Sequence, residues 1–155
     1  MKKILYLHGL NSEPGNKAKF IKKNFFCVSP NIDYKDPKCF NKLLNIVEEN
    51  NFDFIIGNSL GGYFAFILGN IYNIDIILLN PALKKQSIDF KEIPKFNFKN
   101  IEITLLLGGK DDIIDPTETI NYLNKNNITY KLFFNEKLGH RIRTKDFEIF
   151  INSIL

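Results

Sequence analysis

The sequence is poor in cysteine, which excludes a disulfide framework and a four-cysteine zinc site. It contains only Cys27 and Cys39, and either kind of crosslink requires more cysteines than these two. Cys27 lies in an apolar run typical of a strand, and Cys39 in a pattern typical of a helix. Buried free thiols are the default expectation for such a pair, and they suit the reducing environment of the cytoplasm.

Long hydrophobic stretches are lacking as well. The longest apolar region, residues 63–79, is interrupted by three polar side chains, whereas a membrane-spanning helix needs about 20 mostly apolar residues. Near the amino terminus an apolar run of four residues precedes His8, and a signal peptide needs about 7–15 such residues. We therefore expect a cytoplasmic protein with no membrane partner.

Two kinds of nucleic-acid or nucleotide signal are also absent. The formal net charge is +4, but the lysines are scattered and form no dense basic stripe, so we expect no nucleic-acid partner. A flavodoxin-like nucleotide-binding protein would have to bind phosphate with the glycine-rich segment 57–62. That segment is not the dinucleotide fingerprint, and no Walker-type Gly-Lys-Ser/Thr occurs in the chain.

What the sequence does contain is a regular alternation of short β-rich runs and helical patterns. The length of 155 residues fits a single domain spanning residues 1–155. Strands are predicted at residues 4–7, 25–29, 54–57, 74–79, 101–107 and 130–134. Several are continuously apolar, as in parallel strands buried on both faces. The prediction is an α/β domain with a doubly wound, mostly parallel sheet of six strands in the order 2-1-3-4-5-6.

Helical patterns connect these strands. They begin at Asp36-Pro37, at Tyr63, at Asp115-Pro116 and at Thr144. Asp36, Asp115 and Thr144 are predicted N-caps, and Glu118 at the third helical position completes the pattern of a capping box. Residues 81–100 have no clear period, which predicts a short lid-like loop within the domain and no cap domain.

The strongest chemical signal is Gly57-Asn58-Ser59-Leu60-Gly61, which matches Gly-x-Ser-x-Gly. In α/β-hydrolases this pattern forms the nucleophile elbow, a sharp turn from strand to helix that exposes the serine. A strand-like run precedes it and a helical pattern follows it, so Ser59 is the predicted nucleophile. The alternative is a glycine-rich strand–helix turn of another α/β fold.

A histidine and a glycine follow the first predicted strand. A His8-Gly9 pair at this place is typical of the loop that supplies an oxyanion-hole amide. The hole would then be formed by the backbone N–H groups of Leu10 and Leu60, with His8 and Gly9 beside the substrate. The alternative for His8 is a packed histidine at the end of a strand.

The base and the acid follow from elimination and position. The chain has two histidines; with His8 in the oxyanion loop, His140 remains as general base unless it is a plain surface histidine. Asp111 stands after the predicted fifth strand, the usual place of the triad acid. Asp112 is its rival. The order Ser59, Asp111, His140 is the one expected in this fold.

Three segments together resemble a known family. They are LHGLNSEP at residues 7–14, GNSLGGY at residues 57–63 and NPA at residues 80–82. In this combination the chain is similar to the YqiA/YcfP group of small bacterial esterases in the α/β-hydrolase superfamily. The resemblance implies a minimal α/β-hydrolase fold, an esterase or thioesterase activity, and no metal or cofactor. It carries the triad over to Ser59, Asp111 and His140.

The sequence thus predicts a serine hydrolase of small acyl esters or thioesters that works through an acyl-enzyme. Within residues 81–100, Phe90, Ile93, Phe96 and Phe98 lack a periodic partner. Either they line the mouth of the substrate pocket, with Phe96 as a substrate contact, or they cover the edge of the sheet or a helix. The alternative function is a hydrolase-like scaffold with little turnover that acts as a binding protein.

Overall fold

The computed structural model describes residues 1–155 and consists of a parallel sheet with helices on both faces. The strands are β1 (Lys3–Leu7), β2 (Phe26–Val28), β3 (Phe54–Asn58), β4 (Asp75–Leu79), β5 (Ile103–Gly108) and β6 (Lys131–Asn135). The helices are α1 (Gly15–Asn24), α2 (Cys39–Glu48), α3 (Leu60–Tyr72), α4 (Pro116–Lys125) and α5 (Thr144–Ile154).

The six strands lie in the order β2-β1-β3-β4-β5-β6, and every neighbouring pair is parallel. This confirms the predicted sheet and strand order. In the register, Leu7 lies opposite Gly57, Asn58 opposite Leu79, and Gly108 opposite Asn135. The carboxyl ends of the strands therefore meet at one edge of the sheet, where ligands bind in folds of this class.

Alternate side chains of the strands enter two separate cores. On one face Leu5 and Ile55 pack with helices α2, α3 and α4. On the other face Ile4 and Ile56 pack with α1 and α5. Because both faces are covered, the central strands are buried along nearly their whole length. This double burial explains their continuous apolar runs.

No helix connects β4 to β5. Residues 81–100 form an irregular segment whose apolar side chains face helix α3. Phe90 packs edge-to-face on Phe64 with the ring centroids 4.8 Å apart, and Phe96 packs on Phe66 at 6.2 Å. Of the two alternatives for these aromatic residues, the structure shows the one in which they cover a helix.

Helix α1 is the element that the sequence patterns did not predict. Only two of its ten residues, Ala18 and Ile21, are fully buried, and no side chain caps it. Its apolar stripe is therefore too narrow to stand out among the lysines. A helix of this kind is held by tertiary packing, here against α5.

Three predicted helix starts need correction. Helix α3 begins at Leu60, three residues before the predicted Tyr63. Thr144 is the first residue of α5 and makes no capping hydrogen bond; Arg143 takes the N-cap position instead. Helix α2 begins at Cys39, because the Asp36 carboxylate accepts from the backbone N–H of Lys38 and holds the chain in a turn before the helix.

The start of helix α4 agrees with the sequence in part. The Asp115 carboxylate accepts from the backbone N–H of Thr117 at 2.9 Å, as an N-cap does. Glu118 does not complete a capping box, because its carboxylate contacts the Lys84 ammonium at 3.1 Å.

Both cysteines are free thiols, with Cys39 buried and Cys27 only half-buried. Burial raises the pKa of the Cys27 thiol to about 11. No helix of the protein has the length and the apolar character needed to cross a membrane.

Phe64 gives a direct test of the packing between α3 and the segment 81–100. Its ring is fully buried and contacts Tyr34, Phe40 and Phe90. We expect Phe64→Ala to lower the free energy of unfolding by about 3–5 kcal/mol, since a large cavity forms in a close-packed core. Ile149→Ala, at a side chain 61% exposed, should change it by less than about 0.5 kcal/mol. Urea unfolding followed by circular dichroism measures both; similar values for the two variants would contradict this packing.

Candidate active site

Ser59 sits at the turn between β3 and α3 in a backbone conformation that serine rarely adopts. Its φ is 55° and its ψ is −115°, and such a conformation costs on the order of 1–3 kcal/mol. Surrounding hydrogen bonds hold it there. The Ser59 N–H donates to the Leu79 carbonyl, and the Ser59 carbonyl accepts from the N–H groups of Tyr63 and Ala82. Hydrogen bonds to the end of β4, to the residues after it and to the first turn of α3 therefore hold Ser59 in this conformation.

Two glycines make this turn sterically possible. A Cβ atom on Gly61 would lie 2.3 Å from the Leu7 carbonyl oxygen, and one on Gly57 would lie 2.3 Å from the Gly61 carbonyl oxygen. Any side chain at either position would push α3 away from β1 and β3. The two glycines of the sequence motif therefore have a steric cause, and they bring the first turn of α3 directly over the ends of these strands.

The three predicted triad side chains form one hydrogen-bonded chain. Ser59 Oγ lies 2.9 Å from His140 Nε2, and His140 Nδ1 lies 2.8 Å from Asp111 Oδ2. With an ionised carboxylate, the Nδ1–H donates to Asp111 and the bare Nε2 can accept the hydroxyl proton of Ser59. The structure thus brings together residues that lie 52 and 29 positions apart in sequence.

Between the two rival acids, the structure places Asp111 beside the histidine and leaves Asp112 exposed. The Asp111 side chain is 1% exposed. Its second oxygen accepts from the backbone N–H groups of Ile113 and Ile114 at 3.0 and 2.8 Å. These bonds fix the carboxylate plane, so that its free oxygen points at the imidazole.

The two predicted oxyanion donors lie beside Ser59. Leu60 is the first residue of α3, and the first N–H groups of a helix have no acceptor inside it. The backbone N–H of Leu10 has no acceptor within the protein. Both residues line the same cavity as Ser59 and His140. Their catalytic role stays a prediction.

His8 is buried and takes no part in lining the cavity. Its Nε2 accepts from the backbone N–H of Ile32 at 2.8 Å, so Nδ1 carries the proton and donates to the Gly9 carbonyl at 2.7 Å. The Tyr34 hydroxyl donates a hydrogen bond to the His8 carbonyl. Burial lowers the pKa of His8, which favours this neutral form. His8 therefore shapes the loop that carries Leu10, whereas the prediction had it beside the substrate.

Gly9 lies close to the serine. A Cβ atom at this position would be 3.3 Å from the Ser59 Cβ. Phe96, the third predicted substrate contact, is absent from the cavity lining and packs on Phe66 instead. The structure thus differs from that assignment, because the Phe96 ring packs edge-to-face on Phe66 of α3.

Asn80 is a site residue whose role the sequence analysis did not assign. It is buried at the end of β4 with a φ of 42°. Its side-chain amide donates to the Gly139 and His140 carbonyls at 3.0 Å each, and its oxygen accepts from the Gly108 N–H at 2.9 Å. Asn80 thereby ties the loop that carries His140 to the strand that leads to Asp111. The motif NPA was visible in the sequence, but its partners were not.

The cavity at Ser59 has a volume of about 540 Å³, within the range of about 300–1,000 Å³ for small-molecule sites. Its apolar lining comes from Leu10, Leu60, Ala82, Ile113 and Ile114. Its polar lining includes Lys84, Lys85, Glu118, Thr119 and Arg141. No cluster of three or more His, Cys, Asp or Glu side chains in the protein is arranged to hold a metal ion.

Residues 3–88 match the model of a family described as "Uncharacterised protein family (UPF0227)", which is more than half of the chain. The chain belongs to the UPF0227 family. The matched part of this UPF0227 chain includes the Ser59 turn and Asn80 and ends before Asp111 and His140. A UPF0227 protein of Vibrio parahaemolyticus is 26% identical over 90% of this chain and 91% of its own length. One of Vibrio vulnificus is 25% identical over the same shares.

Solved structures agree on the fold. An alpha-beta serine hydrolase homologue from Coxiella burnetii has a TM-score of 0.75 and 14% identity, with 99% of this chain and 85% of that chain covered. SOBER1 of Arabidopsis thaliana has a TM-score of 0.64 and 18% identity, with 98% and 96% covered. At these identities the likeness shows the fold, which is that of the α/β-hydrolases.

The contact between Asp111 and His140 predicts how reactive Ser59 is. We expect Asp111→Asn to slow labelling of Ser59 by a fluorophosphonate by about 10²–10⁴-fold, the range that a positioned base contributes. Asp112→Asn is the matched control and should label at close to the wild-type rate. The labelling rate, measured by intact-protein mass spectrometry, decides the matter; the reverse ranking would assign the acid role to Asp112.

Asn80 has a matched control elsewhere in the protein. Asn70 is also buried, donates to the Phe66 carbonyl at 2.8 Å and accepts from the Lys99 N–H at 2.7 Å, but it lies on α3 away from the cavity. Asn80→Asp and Asn70→Asp each replace an amide donor with a carboxylate oxygen that faces backbone carbonyls, so both should reduce stability by at least about 1–3 kcal/mol.

Only Asn80→Asp should also slow fluorophosphonate labelling of the folded protein, because the His140 loop loses its tether. The two variants are compared at a temperature where thermal melts show both to be folded. Equal labelling rates would mean that Asn80 serves stability alone.

Proposed function

We propose that this chain is a serine hydrolase that cleaves small acyl esters or thioesters. The observation that carries the proposal is the continuous hydrogen-bonded chain from Ser59 through His140 to the buried Asp111 carboxylate. It lies at the carboxyl edge of an α/β-hydrolase sheet, where this fold places its active sites. The resemblance of the sequence segments to the YqiA/YcfP esterases supports the same activity.

In the proposed reaction, Ser59 Oγ attacks the carbonyl carbon as His140 Nε2 takes the hydroxyl proton. The leaving alcohol or thiol departs with that proton and leaves an acyl group on Ser59. Water then attacks the acyl-enzyme, with His140 again as base, and releases the acid. Asp111 holds the imidazole in the tautomer that this requires and stabilises the imidazolium that forms.

The tetrahedral intermediate places negative charge on the former carbonyl oxygen. The free backbone N–H groups of Leu10 and Leu60 are the proposed donors to this oxyanion. Fixed donors in a site shielded from water stabilise such charge strongly, and the loss of one typically costs about 10²–10³-fold in rate. The strained conformation of Ser59 supports this role, since it turns the first N–H groups of α3 toward the nucleophile.

The dimensions of the cavity favour small substrates. Residues 81–100 contribute Ala82, Lys84, Lys85 and Ser87 to the lining, while their aromatic side chains pack on α3. Residues 81–100 therefore contribute little apolar surface to the cavity. Each methylene that reaches the apolar lining contributes at most about 0.8 kcal/mol, and carbons beyond it contribute nothing.

Two measurements test the proposal. A fluorophosphonate should label Ser59 and no other serine, and Ser59→Ala should abolish both the label and ester hydrolysis. Along a series of p-nitrophenyl esters from acetate to palmitate, kcat/KM should be highest for the short acyl chains and fall for the long ones.

Each measurement has its own contrary outcome. Labelling that persists in Ser59→Ala would remove Ser59 from the nucleophile role. A steady rise of kcat/KM out to palmitate would reveal an acyl tunnel and contradict the small substrate. A folded wild-type protein that neither labels nor turns over would instead favour a binding protein on a hydrolase scaffold.

A further inference from the structure

The cavity at Ser59 carries an excess of positive charge. Four charged side chains line it, namely Lys84, Lys85, Glu118 and Arg141. Lys84 and Glu118 neutralise each other in an ion pair of 3.1 Å. Lys85 and Arg141 make no ion pair with any residue of the protein, so two cations without an ion-pair partner line the same cavity as Ser59.

This excess is local and does not merely follow the composition of the protein. The whole chain has 21 lysines and arginines against 17 acidic residues, which is close to balance, whereas the cavity lining has three cations and one anion. Glu118 is the only acidic residue that lines the cavity. Asp111 lies behind His140, buried and hydrogen-bonded to its imidazole.

The two cations come from different parts of the chain. Arg141 directly follows His140, and Lys85 belongs to the irregular segment after β4. Both side chains are exposed and keep much of their hydration, so their attraction for an anion is modest. A cleft lined by charge of one sign nevertheless concentrates oppositely charged ligands and speeds their association.

Building on the hydrolase activity proposed above, we propose that the preferred substrates are esters that carry a negative charge, with Lys85 and Arg141 as specificity-determining residues. The apolar lining would receive the uncharged part of the molecule, and the two cations would attract its carboxylate, sulfonate or phosphate. The reaction stays the hydrolysis described above: the acyl–oxygen bond breaks, water supplies the new hydroxyl, and no further reactant is consumed.

Two pairs of esters separate the possible positions of the charge. For a charge on the leaving group, 4-acetoxybenzoate is compared with its neutral methyl ester. For a charge on the acyl group, mono-4-nitrophenyl adipate is compared with its neutral methyl ester. In each pair the measured quantity is the charge preference, defined as kcat/KM of the anionic ester divided by kcat/KM of the neutral one.

The comparison between protein variants removes the intrinsic reactivity of the esters, because each pair is the same throughout. We expect Lys85→Gln and Arg141→Gln each to lower the charge preference by about 1.5- to 5-fold in at least one pair, as for an exposed ion pair. Raising the ionic strength to about 1 M, where the Debye length is about 3 Å, should weaken the preference of the wild type in the same way.

The chain offers a matched control for each cation. Lys95 lies on the same irregular segment as Lys85 but outside the cavity lining, and it has no ion pair. Arg143 lies two residues after Arg141, and its Nε is 2.8 Å from Asp146 Oδ2, with which it forms an ion pair. Lys95→Gln and Arg143→Gln remove the same net charge from the protein, and they should leave the charge preference unchanged.

The possible outcomes distinguish this inference from the hydrolase activity itself. If the neutral esters are hydrolysed in a Ser59-dependent way but neither cavity variant lowers the charge preference more than its control, the charge inference is wrong and the hydrolase stands. A change confined to one pair assigns the anion to the leaving group or to the acyl group. If both controls act as strongly as the cavity variants, the effect is one of overall charge and the inference fails.

A binding experiment covers the case in which no ester is turned over. Ser59→Ala protein is titrated with the same four esters, and the NMR shifts of backbone amides near the cavity are followed. The anionic ester of at least one pair should bind more tightly than its neutral partner, and adding Lys85→Gln should reduce that difference. Equal affinities within both pairs would contradict the inference whether or not the protein is a hydrolase.

Discussion

The site depends on the close approach of helix α3 to the ends of β1 and β3. At the point of contact the backbone of Gly61 touches the Leu7 carbonyl, with no space for a Cβ atom. This contact sets the first turn of α3 beside the end of β1, and the hydrogen bonds of the Ser59 backbone hold the turn between β3 and α3 in its strained conformation. The proposed nucleophile Ser59 and the proposed oxyanion donor Leu60 thus lie at one helix–strand contact.

A second constraint acts on the other half of the site. His140 and Asp111 lie on the loops that follow β6 and β5, and loops are more mobile than the strands and helices that they connect. Asn80 connects these loops through three hydrogen bonds of its side chain. It also stands one residue after Leu79, whose carbonyl accepts from the Ser59 N–H. One buried amide therefore connects the proposed base, acid and nucleophile to the end of β4.

The sheet, its order and the positions of Ser59, Asp111 and His140 were predictable because they depend on local signals: apolar runs, a Gly-x-Ser-x-Gly turn, and a fixed order along the chain. What depended on tertiary contacts was not predictable. Helix α1 has too few buried residues to show a stripe. The aromatic side chains of residues 81–100 have no period, and only the packed structure shows that Phe96 meets Phe66. The bonds of Asn80 join segments about 30 and 60 residues apart, beyond the reach of any pattern.

The neutral imidazole of His8 has a consequence for behaviour in acid. Its Nε2 is an acceptor for the Ile32 N–H, and burial lowers its pKa below that of an unfolded histidine. The unfolded chain therefore takes up this proton at higher pH than the folded one, so this contribution weakens the folded state as the pH falls through the unfolded value. Protonation would turn the acceptor into a second donor facing the Ile32 N–H and would loosen the loop that carries Leu10. Acid would therefore act on the proposed oxyanion donor Leu10 from behind, through a buried histidine that lines no part of the cavity.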